Sequence, residues 1–234
     1  MPFTALITGG SRGIGFAVAK QFAKRGWNLI LIARNAEVLT QSALELKQMG
    51  AVKVDVYACD LSKKVEVEQA VKWLHSQYSE LNLLVNNAGV FLPGTMMEEG
   101  DEQFDFLWNA NVSGVYFLTK GLWPILVKSP RAHVINMCSI ASITAYAAGG
   151  TYAISKHALL GFSKSLRQEG MSVGVRVTSV LPGATLTDSW KGVDLPSERF
   201  MKPESVGAAC ALAFEINEDT VLEEVLLRPI LGDI

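Results

Sequence analysis

The chain has few of the residues that staple, ligate or span. Its only cysteines, Cys59, Cys138 and Cys210, lie more than 70 positions apart, with no Cys-x-x-Cys pair. A disulfide framework and a cysteine-rich zinc site are both excluded, and a reduced cytoplasmic compartment is expected. The three histidines, His75, His133 and His157, show no metal spacing. They read as exposed or capped residues, and no metal is expected. No basic region precedes the short apolar run after Met1, so no leader is expected.

An excess of one charge is also missing. There are 21 Lys and Arg against 23 Asp and Glu, a formal net charge of −2. That balance argues against nucleic acid or an anionic membrane as partner and favours a small molecule. A charge-free window does occur: the 24 residues Ala132 to Ser155 hold no Asp, Glu, Lys or Arg. It does not read as a membrane span, because His133, Asn136, Ser139, Ser142, Thr144, Thr151 and the pair Gly149-Gly150 interrupt it, and a spanning helix is predominantly apolar over about 20 residues.

What is present is core. Of 234 residues, 49% are hydrophobic and only 19% charged, far from the signature of disorder. No linker, charge run or repeat divides the chain, so one domain, 1–234, is expected. Short apolar runs alternate with longer segments of helical period, the pattern of βαβ units. Strands are predicted at Phe3–Thr8, Asn28–Ala33, Lys53–Ala58, Leu83–Asn86, Ala132–Met137, Val175–Leu181 and Val225–Arg228, rich in Val, Ile and Leu, as strands buried on both faces are. Helices are predicted at 13–25, 35–49, 63–79, 102–127, 151–169 and 203–214. Right-handed crossovers then favour an α/β, doubly wound, Rossmann-type domain with a seven-stranded parallel sheet of order 3-2-1-4-5-6-7. Helices would cover both faces, and ligands would sit at the carboxyl ends of the strands.

Directly after the first strand stands Thr8-Gly9-Gly10-Ser11-Arg12-Gly13-Ile14-Gly15, followed by an amphipathic stretch. A glycine-rich turn entering a helix lets backbone N–H groups and the helix dipole meet a diphosphate. The cofactor is chosen at the end of the second strand, where an acid pairs with a ribose diol and an arginine accommodates a 2′-phosphate. That site reads Ile32-Ala33-Arg34-Asn35. With Arg12 in the loop and no carboxylate, NADP(H) is favoured over NAD(H); the alternative for Arg34 is a solvated loop charge.

Tyr152 and Lys156 lie four residues apart on one predicted helix and share a face. An ammonium one turn away is expected to lower the phenol's pKa and poise it to exchange a proton with an alcohol or carbonyl. Ser139, at the end of the fifth strand, offers a hydroxyl to the same oxygen. The charge-free window would keep competing charges from Tyr152. As isolated residues such a pair and a serine mean little.

Together the motifs are specific. Thr8 to Gly15, Asp60-Leu61, Asn86-Asn87-Ala88-Gly89, Asn111-Val112-Ser113-Gly114, Ser139, Tyr152-Ala153-Ile154-Ser155-Lys156 and Pro182-Gly183-Ala184-Thr185-Leu186-Thr187 resemble, in order and spacing, the short-chain dehydrogenase/reductase family. The resemblance covers the chain to about Thr187. It implies that Tyr152 is the general acid/base, that Lys156 tunes it and holds the nicotinamide ribose, and that Ser139 orients the substrate. Asn111 would hold a water linking Lys156 to solvent. Asp60, with Leu61, would meet the adenine; Asn87, Ala88 and Gly89 would line the cofactor; Pro182, Gly183, Thr185 and Thr187 would frame the nicotinamide. For Asn86 a structural turn and a ligand contact stand side by side, and Ser142 is read as a substrate-pocket residue.

The resemblance implies an NADP(H)-dependent oxidoreductase interconverting a carbonyl and an alcohol. The alternative is a 3-oxoacyl-[acyl-carrier-protein] reductase, and the remoter one a non-catalytic NADP-sensing protein. Asp188–Pro203 would be a short substrate lid. Apolar positions in excess of one sheet face, among them Phe106, Val115, Phe117, Leu118, Leu122, Leu160, Phe162 and Leu166, suggest a homodimer or homotetramer through helices 102–127 and 151–169. Cys138 reads as buried filler.

Overall fold

The computed structural model describes residues 2–234. Seven parallel strands form one sheet in the order β3-β2-β1-β4-β5-β6-β7. They are β1 Thr4–Thr8, β2 Asn28–Ala33, β3 Lys53–Ala58, β4 Leu83–Asn86, β5 His133–Met137, β6 Arg176–Pro182 and β7 Glu224–Leu227. The helices are α1 Gly13–Ala23, α2 Ala36–Gln48, α3 Lys64–Gln77, α4 Asp101–Trp108, α5 Gly114–Leu126, α6 Gly150–Met171 and α7 Pro203–Glu215. The expected class and strand order hold, with strand ends shifted by a residue at most. Among the described residues no helix is long and apolar enough to cross a membrane.

The alternation of side chains along each strand explains the two layers. Ala5, Ile7, Leu29, Leu31, Leu83 and Val85 face one side, where Val18 and Phe22 of α1, Leu39 and Leu46 of α2 and Val206 of α7 cover them. Their neighbours Leu6, Ile30, Ile32 and Leu84 face the other, under Val67 and Leu74 of α3 and Leu118, Leu122 and Ile125 of α5. Both faces are apolar, so the strands read as nearly continuous apolar runs.

One expectation is corrected and another narrowed. The single helix predicted over 102–127 is interrupted: Asn109–Ser113 forms a π-helical turn between α4 and α5. Such a turn shifts the hydrogen-bond ladder by one residue, and here it holds Asn111, whose side chain bonds outside its own helix. Of the exposed and capped readings, His133 takes the second: it is fully buried, with Nε2 2.8 Å from Thr178 Oγ1. Burial and the nearby guanidinium groups of Arg176 and Arg131 push its pKa down, so it is held neutral.

Part of the apolar excess on α5 and α6 is used internally. Val115, Leu118, Leu122, Leu160 and Leu166 are buried, while Phe104, Tyr116 and Ile154 stay exposed.

Candidate active site

The parallel order opens a cleft along the carboxyl ends of the strands, where the loops after β1 and β4 part to opposite faces. It holds a cavity of about 1230 Å³ running from Arg34 and Asp60 past the glycine loop to Tyr146, Trp190 and Ile234.

At the loop after β1, Gly9 takes φ +63°, left-handed backbone that favours glycine. Its N–H donates to Ile32 O at 2.7 Å. A Cβ on Gly15 would overlap the Gly9 carbonyl oxygen and Asn87 Nδ2, so the turn closes only around glycine. Thr8 Oγ1 accepts from the N–H groups of Asn87 and Ala88 at 2.9 and 3.0 Å. Asn87 Nδ2 donates back to Thr8 O at 2.9 Å. The two loops are therefore braced to each other before any ligand arrives. Gly9, Ser11, Arg12, Gly13 and Ile14 line the cleft, whereas Gly15 lies behind it. The first turn of α1 carries no acid, leaving its N–H groups and dipole to an anion.

Arg34 lines the far end, exposed, with no ion-pair partner among the described residues. Asp60 lines the cleft beside Leu61; its Oδ1 accepts from Ser62 N and Oγ at 3.0 and 2.8 Å. Arg12 reaches Asp188 at 3.4 Å across the cleft mouth. These residues fit a dinucleotide bearing a 2′-phosphate: bare backbone at the turn and an unpaired guanidinium at the end of β2.

Ser139 follows β5 and caps the short 3-10 turn Ile140–Ser142, with Ser139 Oγ accepting from Ala141 N at 3.1 Å. Ser142 corrects its expectation: it is buried outside the cleft lining, and its hydroxyl accepts from Ser139 N at 3.2 Å. It holds Ser139 in place. Tyr152 and Lys156 both line the cleft from α6, with Lys156 Nζ 5.8 Å from the Tyr152 ring centroid. That ammonium donates to Met137 O at 2.9 Å, and burial lowers its pKa. The expected lowering of Tyr152 is likewise corrected. Burial raises the phenol's pKa, and the opposing influence is the Ser139 hydroxyl rather than Lys156.

Asn111 is fully buried and lies outside the cleft lining. Its Nδ2 donates to Val90 O at 2.9 Å and Ser155 Oγ at 3.0 Å, while Oδ1 accepts from Val90 N at 2.8 Å. It thus ties the loop after β4 to α6. A Cβ on Gly89 would touch both Asn111 Oδ1 and Lys156 Nζ, at 3.2 and 3.4 Å, so those side chains flank one point of backbone. Asn86 faces the core instead of the cleft, donating to Thr119 Oγ1 at 2.9 Å and Asn136 Oδ1 at 2.8 Å. Cys138 is buried, its thiol pushed up to about 11 chiefly by burial.

Beyond β6, Pro182, Gly183, Thr185 and Thr187 line the cleft. Thr185 Oγ1 donates to Gly183 O at 3.0 Å, and Thr187 caps the turn Asp188–Trp190. Sequence reasoning missed Phe91, whose ring meets Tyr152 edge-on at 4.9 Å, and also Asp233 and Ile234, which line the same cavity. Asp233 pairs with Arg228, and its carbonyl accepts from Arg199. No local pattern marks such residues, because they meet the site only through the fold. Among the described residues no group of three His, Cys, Asp or Glu is placed to hold a metal.

Comparison with known proteins agrees with this geometry. The family model for short chain dehydrogenase matches residues 3–196. A sepiapterin reductase of Chlorobaculum tepidum is 33% identical, covering 100% of this chain and 99% of the relative. A diacetyl reductase, (S)-acetoin forming, of Staphylococcus epidermidis is 33% identical over 83% of this chain and 76% of its own. Among solved structures, L-sorbose reductase from Gluconobacter frateurii, complexed with NADPH and L-sorbose, superimposes with a TM-score of 0.90. It is 29% identical and covers 97% of this chain and 95% of its own.

Proposed function

The chain belongs to the short-chain dehydrogenase family, and we propose that it is an NADP(H)-dependent oxidoreductase interconverting a carbonyl and an alcohol, with Tyr152 as the general acid/base. The observation that carries this reading is the convergence of Ser139, Tyr152 and Lys156 on the same cleft as the glycine loop and Arg34. Bound nicotinamide would supply or accept the hydride.

The protein's part is to hold and protonate. Arg34 and Arg12 hold a 2′-phosphate through charge-assisted hydrogen bonds. Gly9 and Ser11 to Ile14 receive the diphosphate, with Gly15 closing the turn behind them, Asp60 and Leu61 the adenosine, Asn87 to Gly89 the middle of the dinucleotide, and Pro182, Gly183, Thr185 and Thr187 the nicotinamide end. Ser139 donates to the carbonyl oxygen, stabilising the charge that develops there. Tyr152 gives that oxygen its proton in reduction and takes it back in oxidation. A phenol whose pKa burial has raised is fully protonated at neutral pH, which suits it to the reductive direction. Lys156 holds the ribose; Asn111 keeps the Val90 backbone in place for a water that resupplies the proton. The relatives' names direct the substrate panel: sepiapterin, diacetyl and L-sorbose, with an acetoacetyl thioester for carrier-like substrates.

A single nucleotide-binding unit over 1–234 with Asp188–Pro203 as lid belongs to the same reading, supported by the one continuous sheet. So does a homo-oligomer through α4–α5 and α6, supported by the exposed Phe104, Tyr116 and Ile154. Tyr152→Phe is the decisive test. It is expected to cut kcat at least ~100-fold while leaving NADPH affinity within about twofold. Unchanged turnover, or product formed without net NADPH oxidation, overturns the assignment.

A further inference from the structure

Helix α6 begins without help from its own neighbourhood. No side chain of its preceding residue caps it, and no acid stands in its first turn, although a helix start leaves four N–H groups without intrahelical partners. The missing acceptor comes from 52 residues away: Glu99 Oε2 and Oε1 accept from Thr151 N at 3.1 and 3.3 Å. A carboxylate there gains both a charge-assisted hydrogen bond and the favourable end of the helix dipole. The fold thus brings an acid to the residue next to Tyr152, yet that carboxylate is engaged by the helix start and is not among the influences on the phenol.

The junction is built around this contact. Ala148 and Gly150 take φ +57° and +36°, a strained turn immediately before α6. A Cβ on Gly150 would overlap Glu99 Oε1, and one on Gly94 would stand 2.9 Å from Glu99 Cγ. Gly94 N donates to Ala148 O at 3.1 Å. The same loop begins with Phe91, packed on the Tyr152 ring. The loop after β4 therefore grips the start of α6 by hydrogen bond at Thr151 and by ring contact at Tyr152 itself.

We propose that Glu99 is a positioning residue for Tyr152: from the loop after β4 its carboxylate caps the first turn of α6 and sets where the phenol stands in the cleft. The inference rests on the reading of Tyr152 as acid/base. Without the cap the turn that carries Thr151 and Tyr152 is free to fray. A shift of about 1 Å at a reacting group can cost on the order of 100-fold in rate. The glycine loop, braced through Thr8 and Asn87, is untouched by the change, so the loss falls on kcat rather than on cofactor affinity.

The test compares Glu99→Ala, Glu99→Gln and Glu99→Asp, with Tyr152→Phe in parallel, using NADPH and the panel compound of highest kcat/KM. Glu99→Ala is expected to lose about tenfold in kcat, with NADPH Kd within about twofold and faster amide exchange across Gly149–Lys156. Glu99→Gln keeps an acceptor at the same reach and is expected to stay within about threefold of wild type; Glu99→Asp, one methylene short, behaves like Glu99→Ala. Should Glu99→Ala fail to fold, the contrast of Gln with Asp decides alone. A wild-type kcat in Glu99→Asp, or equal losses in Asp and Gln, overturns the assignment. If Tyr152→Phe is inactive in that case, only the role of Glu99 falls; if Tyr152→Phe still turns over, the reading of Tyr152 falls first.

Discussion

The two ends of the sheet bury ionisable groups for opposite purposes. At the amino ends of the strands, His133, Arg131 and Arg176 surround Phe214, whose ring also meets Phe3, Phe22 and Trp27. Arg176 Nη2 donates to the Phe214 carbonyl at 3.0 Å, closing the end of α7. At the carboxyl ends Lys156 and Ser139 are buried and Tyr152 partly so, yet each faces an open cleft. Burial holds groups in one protonation state at both ends; only the end with room for a ligand can put that state to chemical use.

The largest test of this contrast is Phe214→Ala, which empties a nearly fully buried site. It is expected to lower unfolding free energy by about 3–5 kcal/mol while the folded fraction keeps its kcat within about twofold. Denaturant titration beside steady-state kinetics measures both, and a large fall in kcat would break the division between the ends. Gly15→Ala works in reverse. Its Cβ collides with the Gly9 carbonyl oxygen, so the turn must open: NADPH Kd should rise on the order of 100-fold, with a smaller loss of stability than Phe214→Ala, read by calorimetry and thermal unfolding.

Arg34→Asp should shift the preference for NADPH over NADH by about 10- to 100-fold, the worth of a hydrogen-bonded charge. Michaelis constants for both cofactors decide it, and a wild type that prefers NADH defeats the argument.

The smallest effect is on pH-dependent stability. His133 has a folded pKa well below the ordinary 6.5, so its burial carries no penalty above that value. Stability should fall as pH drops below about 6.5, by at most ~1.4 kcal/mol per pH unit for one proton. In His133→Phe the slope of unfolding free energy against pH between 6.5 and 5 should be shallower; an unchanged slope assigns the titration elsewhere.

Legibility in the sequence follows the same geography. The glycine turn, Arg34 and the Tyr152-Lys156 pair were readable because each lies within one element, where spacing along the chain is spacing in space. The strand order followed from the handedness of βαβ crossovers. Ser142 was misread because adjacency to Ser139 says nothing of which side its hydroxyl faces. For His133 the exposed and capped readings stayed open, because a lone histidine in an apolar strand gives no sign of whether a threonine on the next strand will cap it. The π turn at Asn109–Ser113 left no trace in a period that continues on both sides.

By itself, then, the sequence determined the alternation of strands and helices, the family motifs and the cofactor-facing turn, all of them consequences of local sterics and periodic burial. Only the tertiary structure decided that Tyr152 is raised by burial rather than lowered by Lys156, that Asn111 clamps Val90, that Asp233 and Ile234 line the cleft, and that Glu99 caps the helix of Tyr152. The reason is physical. Desolvation and hydrogen-bond partners depend on which atoms lie within a few ångströms, and between residues 52 positions apart that distance exists only once the chain has packed.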